Sequence, residues 1–225
     1  MKKLLLAAIA IVALAAPASA ADLPPKPFYK APTYVAPYNW GGFYIGVVGG
    51  AGWADSSHTG SFGTNSGKFN QNGGTVGGTL GYNWQTGNIV FGLEGDLSWA
   101  DITGSSGACI TSCFTTIRSI DTVRGRVGMA FDNWLPYITG GAAIANIDAG
   151  QTGLGNGNDT RLGATVGAGI EWMFAQNWSA KAEYLYVDFG KRAIFNDNVG
   201  GVIVPESLRL TANLLRVGLN YRFGY

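Results

Sequence analysis

Apolar and polar residues alternate along most of the chain from Trp40 onward. The C-terminal stretch is the clearest case, with apolar side chains at Leu215, Val217, Leu219, Tyr221, Phe223 and Tyr225. Arginine, glycine and asparagine fill the positions between them. Because successive side chains of a strand point to opposite faces, this pattern predicts a strand with one apolar, aromatic face and one cationic face.

The same rhythm recurs along the chain and predicts eight strands. They are Trp40–Trp53, Gly73–Gln85, Ile89–Ala100, Arg118–Phe131, Leu135–Ile147, Thr160–Phe174, Trp178–Gly190 and a last strand that ends at Tyr225. Short turns alternate strictly with long connections rich in serine, glycine, threonine and asparagine. Since tight turns join antiparallel neighbours, all short links should lie at one rim and all long loops at the other.

This layout predicts an all-β fold, an eight-stranded antiparallel transmembrane up-and-down β-barrel. A soluble β-sandwich is the alternative, but it gives no reason for loop lengths to segregate so regularly. After residue 16 no segment approaches the roughly 20 apolar residues that a membrane helix requires. A membrane protein with this sequence must therefore cross as a closed barrel, because lipid offers no partner to unpaired backbone groups.

The N-terminus predicts export from the cytoplasm. Two lysines precede an apolar run, Leu4–Ala16, and small residues follow at an A-x-A site that ends at Ala20. We expect residues 1–20 to be a signal peptide cleaved after Ala20, with an uncleaved anchor as the alternative. Residues 21–39 are rich in proline and predict an extended periplasmic linker. Residues 40–225 then form the barrel domain, in the cell outer membrane.

Charged residues fall on the strand faces opposite the apolar ones. They are Glu94, Asp96, Arg124, Arg126, Glu171, Lys181, Glu183, Arg216 and Arg222. The interior of an eight-stranded barrel is only wide enough to be filled by its own side chains, so these four acids and five bases must pair with one another. The sequence thus predicts a salt-bridged interior without a wide pore. In a soluble sandwich the same charges would face water.

Aromatic residues cluster near the predicted strand ends. The clearest are Trp84, Trp99, Trp172, Trp178, Tyr221 and Phe223. Outer-membrane barrels carry aromatic girdles at both membrane surfaces, and we expect these residues to form them.

Composition and charge limit the class of binding partner that the sequence predicts. Only 13% of the residues are charged, and glycine accounts for 35 positions. Removing Lys2 and Lys3 with the signal peptide leaves 13 bases against 14 acids, a formal charge of about −1. Nucleic-acid binding requires clustered lysine and arginine, and the sequence predicts no nucleic-acid partner.

No catalytic, cofactor or metal site is predicted. Cys109 and Cys113 could form one small disulfide in an exported protein, and their spacing does not decide it. A metal site is disfavoured because the single histidine, His58, lies far from both. Ser56 and Ser57 precede His58, but this stretch predicts a loop that would not hold a nucleophile and a base in register.

Four stretches resemble a known family: ADLPPKP after the signal, NWGGFYIGVVGGAGW, KAEYLYVDFG and LLRVGLNYRFGY. The chain is similar to the alphaproteobacterial outer-membrane immunogenic proteins, small surface proteins of the porin family with an OmpA-like barrel. The resemblance implies that the barrel-assembly machinery recognises the terminal strand, here through Phe223 and Tyr225. It also implies roles in envelope integrity and host-surface contact, and haemin binding by some members, although no haemin-binding residue can be matched here.

The leading functional hypothesis is a structural outer-membrane protein that supports the envelope and displays antigenic or adhesive loops. The alternatives are a small-solute channel and a haemin-binding surface receptor that uses His58. The channel is disfavoured because aqueous porins use about 16 strands.

Overall fold

The computed structural model describes residues 38–59, 65–106, 113–151, 155–199 and 202–223. It contains the strands β1 Gly42–Thr59, β2 Asn65–Thr86, β3 Ile89–Ser106, β4 Cys113–Met129, β5 Trp134–Gln151, β6 Gly155–Ala175, β7 Trp178–Val199 and β8 Val202–Phe223. Each strand pairs antiparallel with its chain neighbours, and β8 pairs with β1, so the sheet closes. The predicted eight-stranded barrel is confirmed. None of the described residues forms a helix long and apolar enough to cross a membrane.

The strands are longer than the sequence pattern predicts. Polar segments that we assigned to long loops pair as strand extensions, for example Asp197 with Val204 in the β7–β8 hairpin. His58 likewise lies in β1, where its main chain pairs with Leu208 of β8. The prediction of loops at these positions is wrong because backbone pairing between neighbouring strands stabilises segments whose own β-propensity is low.

The barrel divides into two lobes towards the rim that carries the long hairpins. The β2–β3 ladder stops at Asn72 and Thr103, and the β6–β7 ladder stops at Ala164 and Asp188. Beyond these points β7, β8, β1 and β2 stay paired as one lobe, and β3, β4, β5 and β6 as the other. A β-bulge begins at Asp188, and Gly190 has φ 68° within it. Because a bulge bends its strand, this one directs β7 away from β6.

The outer wall presents a continuous apolar surface. Leu97 and Trp99 expose 70% and 73% of their areas, which is typical of side chains that face lipid. Phe43 and Trp53 lie ten residues apart on this face of β1. At about 3.3 Å per residue and a tilt of about 40°, they are separated by roughly 25 Å along the barrel axis, the usual height of the apolar band.

Aromatic pairs surround the rim that carries the short turns. Phe43 contacts Tyr82 with ring centroids 4.5 Å apart, and Trp178 contacts Tyr221 at 5.2 Å. We call these residues, Phe43, Tyr82, Trp178 and Tyr221, the turn-side girdle. Trp53 and Trp99 lie near the opposite edge of the apolar band.

Candidate functional site

The lumen at mid-height holds a network of buried ion pairs centred on Glu94 of β3. Arg124 donates from Nη2 to Glu94 Oε1 at 2.6 Å, and Lys181 donates from Nζ to Oε2 at 2.9 Å. Arg126 Nη1 lies 3.5 Å from Oε2, and the hydroxyl of Tyr44 donates to the same oxygen at 2.7 Å. One carboxylate from β3 therefore joins side chains from β1, β4 and β7.

Asp96 and Glu183 continue the network towards the long hairpins. Arg216 of β8 donates from Nη1 to Asp96 at 2.9 Å and from Nη2 to Glu183 at 2.7 Å. Arg124 makes the same two connections from β4, at 3.0 Å to Asp96 and 2.8 Å to Glu183. Because each arginine joins both carboxylates, the four side chains form a closed ring across the lumen. The hydroxyl of Tyr137 also donates to Glu183, at 3.1 Å.

Glu171 of β6 anchors the network towards the short turns. Arg126 donates to it from Nη2 at 2.6 Å, and Ser179 and Asn220 donate at 2.6 and 3.0 Å. Arg222 is held more loosely, with Nη2 3.5 Å from Glu171. The structure thus brings all nine charged residues singled out in the sequence into one buried cluster.

An apolar layer fills the lumen between this network and the long hairpins. Its side chains are Ala54, Ala100, Ile102, Ile117, Ile120, Ala143, Ala145, Ile147, Leu185, Val187, Phe189, Leu210, Ala212 and Leu214. Sequence reasoning missed this layer. The signal was present, since Leu185 and Val187 share a strand face with Glu183, and both faces of β7 are apolar there.

Trp40 closes the lumen at the short-turn rim and is fully buried. Its main-chain N–H donates to Gln85 at 2.6 Å, and its carbonyl accepts from Asn83 at 3.1 Å. Its indole Nε1 donates to the carbonyl of Asp132 at 3.3 Å, and the Arg222 guanidinium lies 4.8 Å from its ring centroid. The prediction that Trp40 begins the first strand is wrong, because β1 begins at Gly42 and Trp40 folds into the barrel mouth.

The remaining sequence candidates lie at the margins of the structure. Phe223 ends β8, is 48% exposed and packs against Tyr221 at 5.1 Å. Tyr225 and Cys109 lie outside the described residues, and Cys113 is the first residue of β4. The proposed Cys109–Cys113 disulfide therefore stays a prediction.

Chemically, the arrangement is a stack of three layers that fills the barrel: apolar side chains, ion pairs, and the Trp40 cap. In the described ranges no group of histidine, cysteine, aspartate and glutamate is placed to hold a metal ion. Each carboxylate of the network forms an ion pair with arginine or lysine. The layers support rigidity and closure of the barrel.

The chain is similar in sequence to known outer-membrane proteins. A family model described as the outer membrane protein beta-barrel domain matches residues 5–223. The 31 kDa outer-membrane immunogenic protein of Brucella melitensis is 35% identical, over 99% of this chain and 100% of that protein. The 25 kDa outer-membrane immunogenic protein of Brucella abortus is 33% identical, over 99% of each.

A solved structure shares the fold at low sequence identity. The outer membrane protease OmpT of Escherichia coli aligns with a TM-score of 0.54 and 7% identity, over 80% of this chain and 96% of that one. At this identity the likeness concerns the barrel fold alone.

Proposed function

The chain belongs to the outer membrane protein beta-barrel domain family and lies in the outer membrane, and from this premise we propose that it is a sealed structural barrel that supports the envelope and displays antigenic or adhesive segments. We further propose that the role is non-enzymatic. Its relatives are named outer-membrane immunogenic proteins.

The filled lumen is the observation that carries this proposal. Ion pairs from five strands cross the barrel, and apolar side chains lie above and below them. An eight-stranded barrel has little interior space beyond that occupied by its side chains, which argues against the small-solute channel.

The distribution of connections supports surface display. Outer-membrane barrels carry their short turns in the periplasm and their long connections outside the cell. The long hairpins of β1–β2 and β7–β8 would then project from the cell surface. This orientation makes them the segments that antibodies or host molecules meet.

A deletion strain tests the proposal. We expect loss of the protein to increase sensitivity to detergent with a chelator, and antibodies against the β7–β8 hairpin to label intact wild-type cells. A plasmid copy should restore both properties. Unchanged detergent sensitivity together with antibody labelling only after the cells are lysed would contradict the proposal.

We also propose two partners, the barrel-assembly machinery and haemin. Phe223 lies outward at the end of β8, where the barrel-assembly machinery would meet the last strand. We expect deletion of residues 223–225 to lower the amount of folded barrel in the outer membrane.

Haemin is the second proposed partner, with His58 as the ligand. Replacement of His58 by alanine should therefore reduce haemin binding, and undiminished binding would rule out His58 as a ligand.

A further inference from the structure

A groove of about 640 Å³ lies in the lipid-facing wall, with lining residues on β5 to β8 and on β1 and β2. Small residues form its floor on β7, at Ala180 and Ala182. Larger apolar side chains flank them, including Trp172 of β6 and Leu219 of β8. The groove is therefore a local depression in an otherwise bulky apolar surface.

The dimensions of the groove fit a single hydrocarbon chain. Ala180 lies between Trp172 of β6 and Leu219 of β8, its cross-strand neighbours. Ala182 lies in the same way between Ile170 and Val217. The depression over the two alanines therefore runs along β7, between strands that are two interstrand steps or about 10 Å apart. The convex wall of a second barrel cannot enter a slot of this width, whereas one extended acyl chain can lie along it.

The position of the groove along the barrel axis places it in one leaflet of the membrane. Val47 lines it and lies four residues from Phe43 in the turn-side girdle, but six residues from Trp53 near the opposite edge of the apolar band. The stacked rings of Trp134 and Trp172, 5.7 Å apart, also line it. The groove thus lies mostly in the half of the membrane next to the short turns, the periplasmic leaflet of phospholipids.

We propose that this groove is a binding site for one acyl chain of a phospholipid from the periplasmic leaflet. A depression in a lipid-facing wall must be filled by hydrocarbon, because unfilled space forfeits dispersion contacts. A chain held between Trp172 and Leu219 contacts protein on its floor and both sides, whereas a chain beside a flat wall contacts protein on one side. The site therefore retains its lipid longer than the rest of the barrel surface does.

Native mass spectrometry of the full barrel with palmitoyl-oleoyl phosphatidylethanolamine tests the site. Ala182→Phe fills the groove from its floor, and Ala180→Phe fills it one step nearer the short turns. Ala142→Phe is the matched control, since Ala142 is exposed on the outer face of β5 and does not line the groove. We expect one retained lipid in the wild type and in Ala142→Phe, and about tenfold lower retention in both groove variants.

The mobility of unboiled samples in gels establishes that each variant is folded before its lipid is counted. Equal retention by Ala182→Phe, Ala180→Phe and Ala142→Phe would overturn the proposal. Absence of retained lipid from the folded wild type would also overturn it. Retention of a second copy of the chain by the wild type, lost in the groove variants, would assign the groove to dimer formation.

Discussion

At the scale of single residues, the interior depends on carboxylates that each serve several cations. Glu94 pairs with Arg124, Arg126 and Lys181, and it is the ion-pair partner of Lys181 among the described residues. Removing one member of a buried ion pair is costly because the remaining charge stays desolvated, whereas replacing both members with apolar groups can be nearly neutral. The network is therefore sensitive to the loss of single residues.

The Glu94→Leu variant should be strongly destabilised, because three cations lose a buried partner. We expect the free energy of unfolding in urea to fall by about 3–5 kcal/mol. Adding Lys181→Met should recover part of this loss, since one uncompensated charge disappears. A double variant that is less stable than Glu94→Leu alone would contradict this account of the Glu94–Lys181 pair.

Gly50 of β1 should not accept a side chain. A Cβ atom there would collide with the carbonyl oxygen of Leu215 on β8. We expect Gly50→Ala to lower stability by about 1–3 kcal/mol, or to prevent closure of the barrel. Gly78 is the control, because its nearest neighbour would lie 3.8 Å from an added Cβ. Comparable urea midpoints for Gly50→Ala and Gly78→Ala would refute the steric explanation.

Nine of the buried charged residues could be identified from sequence because charge and alternation mark a strand face, whereas Arg161 of β6, which is also buried, was missed. Pairs between neighbouring strands, such as Glu94 with Arg124, also follow from the sequence. Pairs across the lumen do not, such as that of Arg124 on β4 with Glu183 on β7. Such contacts depend on barrel closure and tilt, which no local pattern encodes. The apolar layer was missed for a related reason: where both strand faces are apolar, as at Leu185, alternation no longer distinguishes inside from outside.

At the scale of elements, the turns and strand cores follow from local pattern, whereas the strand ends do not. Thr86 pairs with Ile89 across a turn in which Gly87 has φ 60°, and the sequence predicts a turn at this position. The extension of β2 back to Asn65 depends on pairing with β1, which no feature of its polar sequence indicates. The segment before β1 is also set by tertiary contacts, because Trp40 is held by residues from β2 and by the carbonyl of Asp132.

Removing the Trp40 side chain should loosen the short-turn end of the barrel. We expect Trp40→Ala to lower the free energy of unfolding by about 3–5 kcal/mol, because a large buried side chain leaves a cavity. Trp84→Ala is the control, since Trp84 faces outward and is half exposed. The two variants should differ clearly in urea denaturation from detergent micelles. Equal losses of stability would show that the buried position of Trp40 is unimportant.

At the scale of the whole molecule, closure of the sheet and filling of the lumen act together. Up to the points where the β2–β3 and β6–β7 ladders stop, the closed sheet leaves no open edge, which lipid would not tolerate. Inside it, the nine-residue ion-pair network lies between apolar side chains on both sides, and one further buried cation, Arg161, lies at the level of the apolar layer. The result is a rigid cylinder in which paired charges stabilise the interior and apolar side chains contact lipid on the outside.

The purified wild-type protein should not conduct ions. We expect planar bilayers to show no stable current steps, because two apolar layers separate the ion-pair network from the aqueous phases. Trp40→Ala should also remain closed, since the second apolar layer persists. Stable, reproducible current steps from the wild type would contradict a sealed lumen and favour the channel.

The folded barrel should resist cold sodium dodecyl sulfate. Its backbone hydrogen bonds close on themselves around the sheet, so we expect a compact form with faster gel mobility before boiling and slower mobility after it. Glu94→Leu should convert to the slower form at a lower temperature than the wild type. An unboiled wild type that already migrates as the slower form would argue against a stable barrel.

The interruption of the β2–β3 and β6–β7 ladders has an evolutionary consequence. No backbone hydrogen bond of these ladders continues across the gap between the lobes, so an insertion or deletion in one lobe leaves the register of the other unchanged. The hairpins of one lobe can therefore change in length or sequence while the other lobe keeps its pairing. Each lobe is in this sense free to vary separately above one shared barrel.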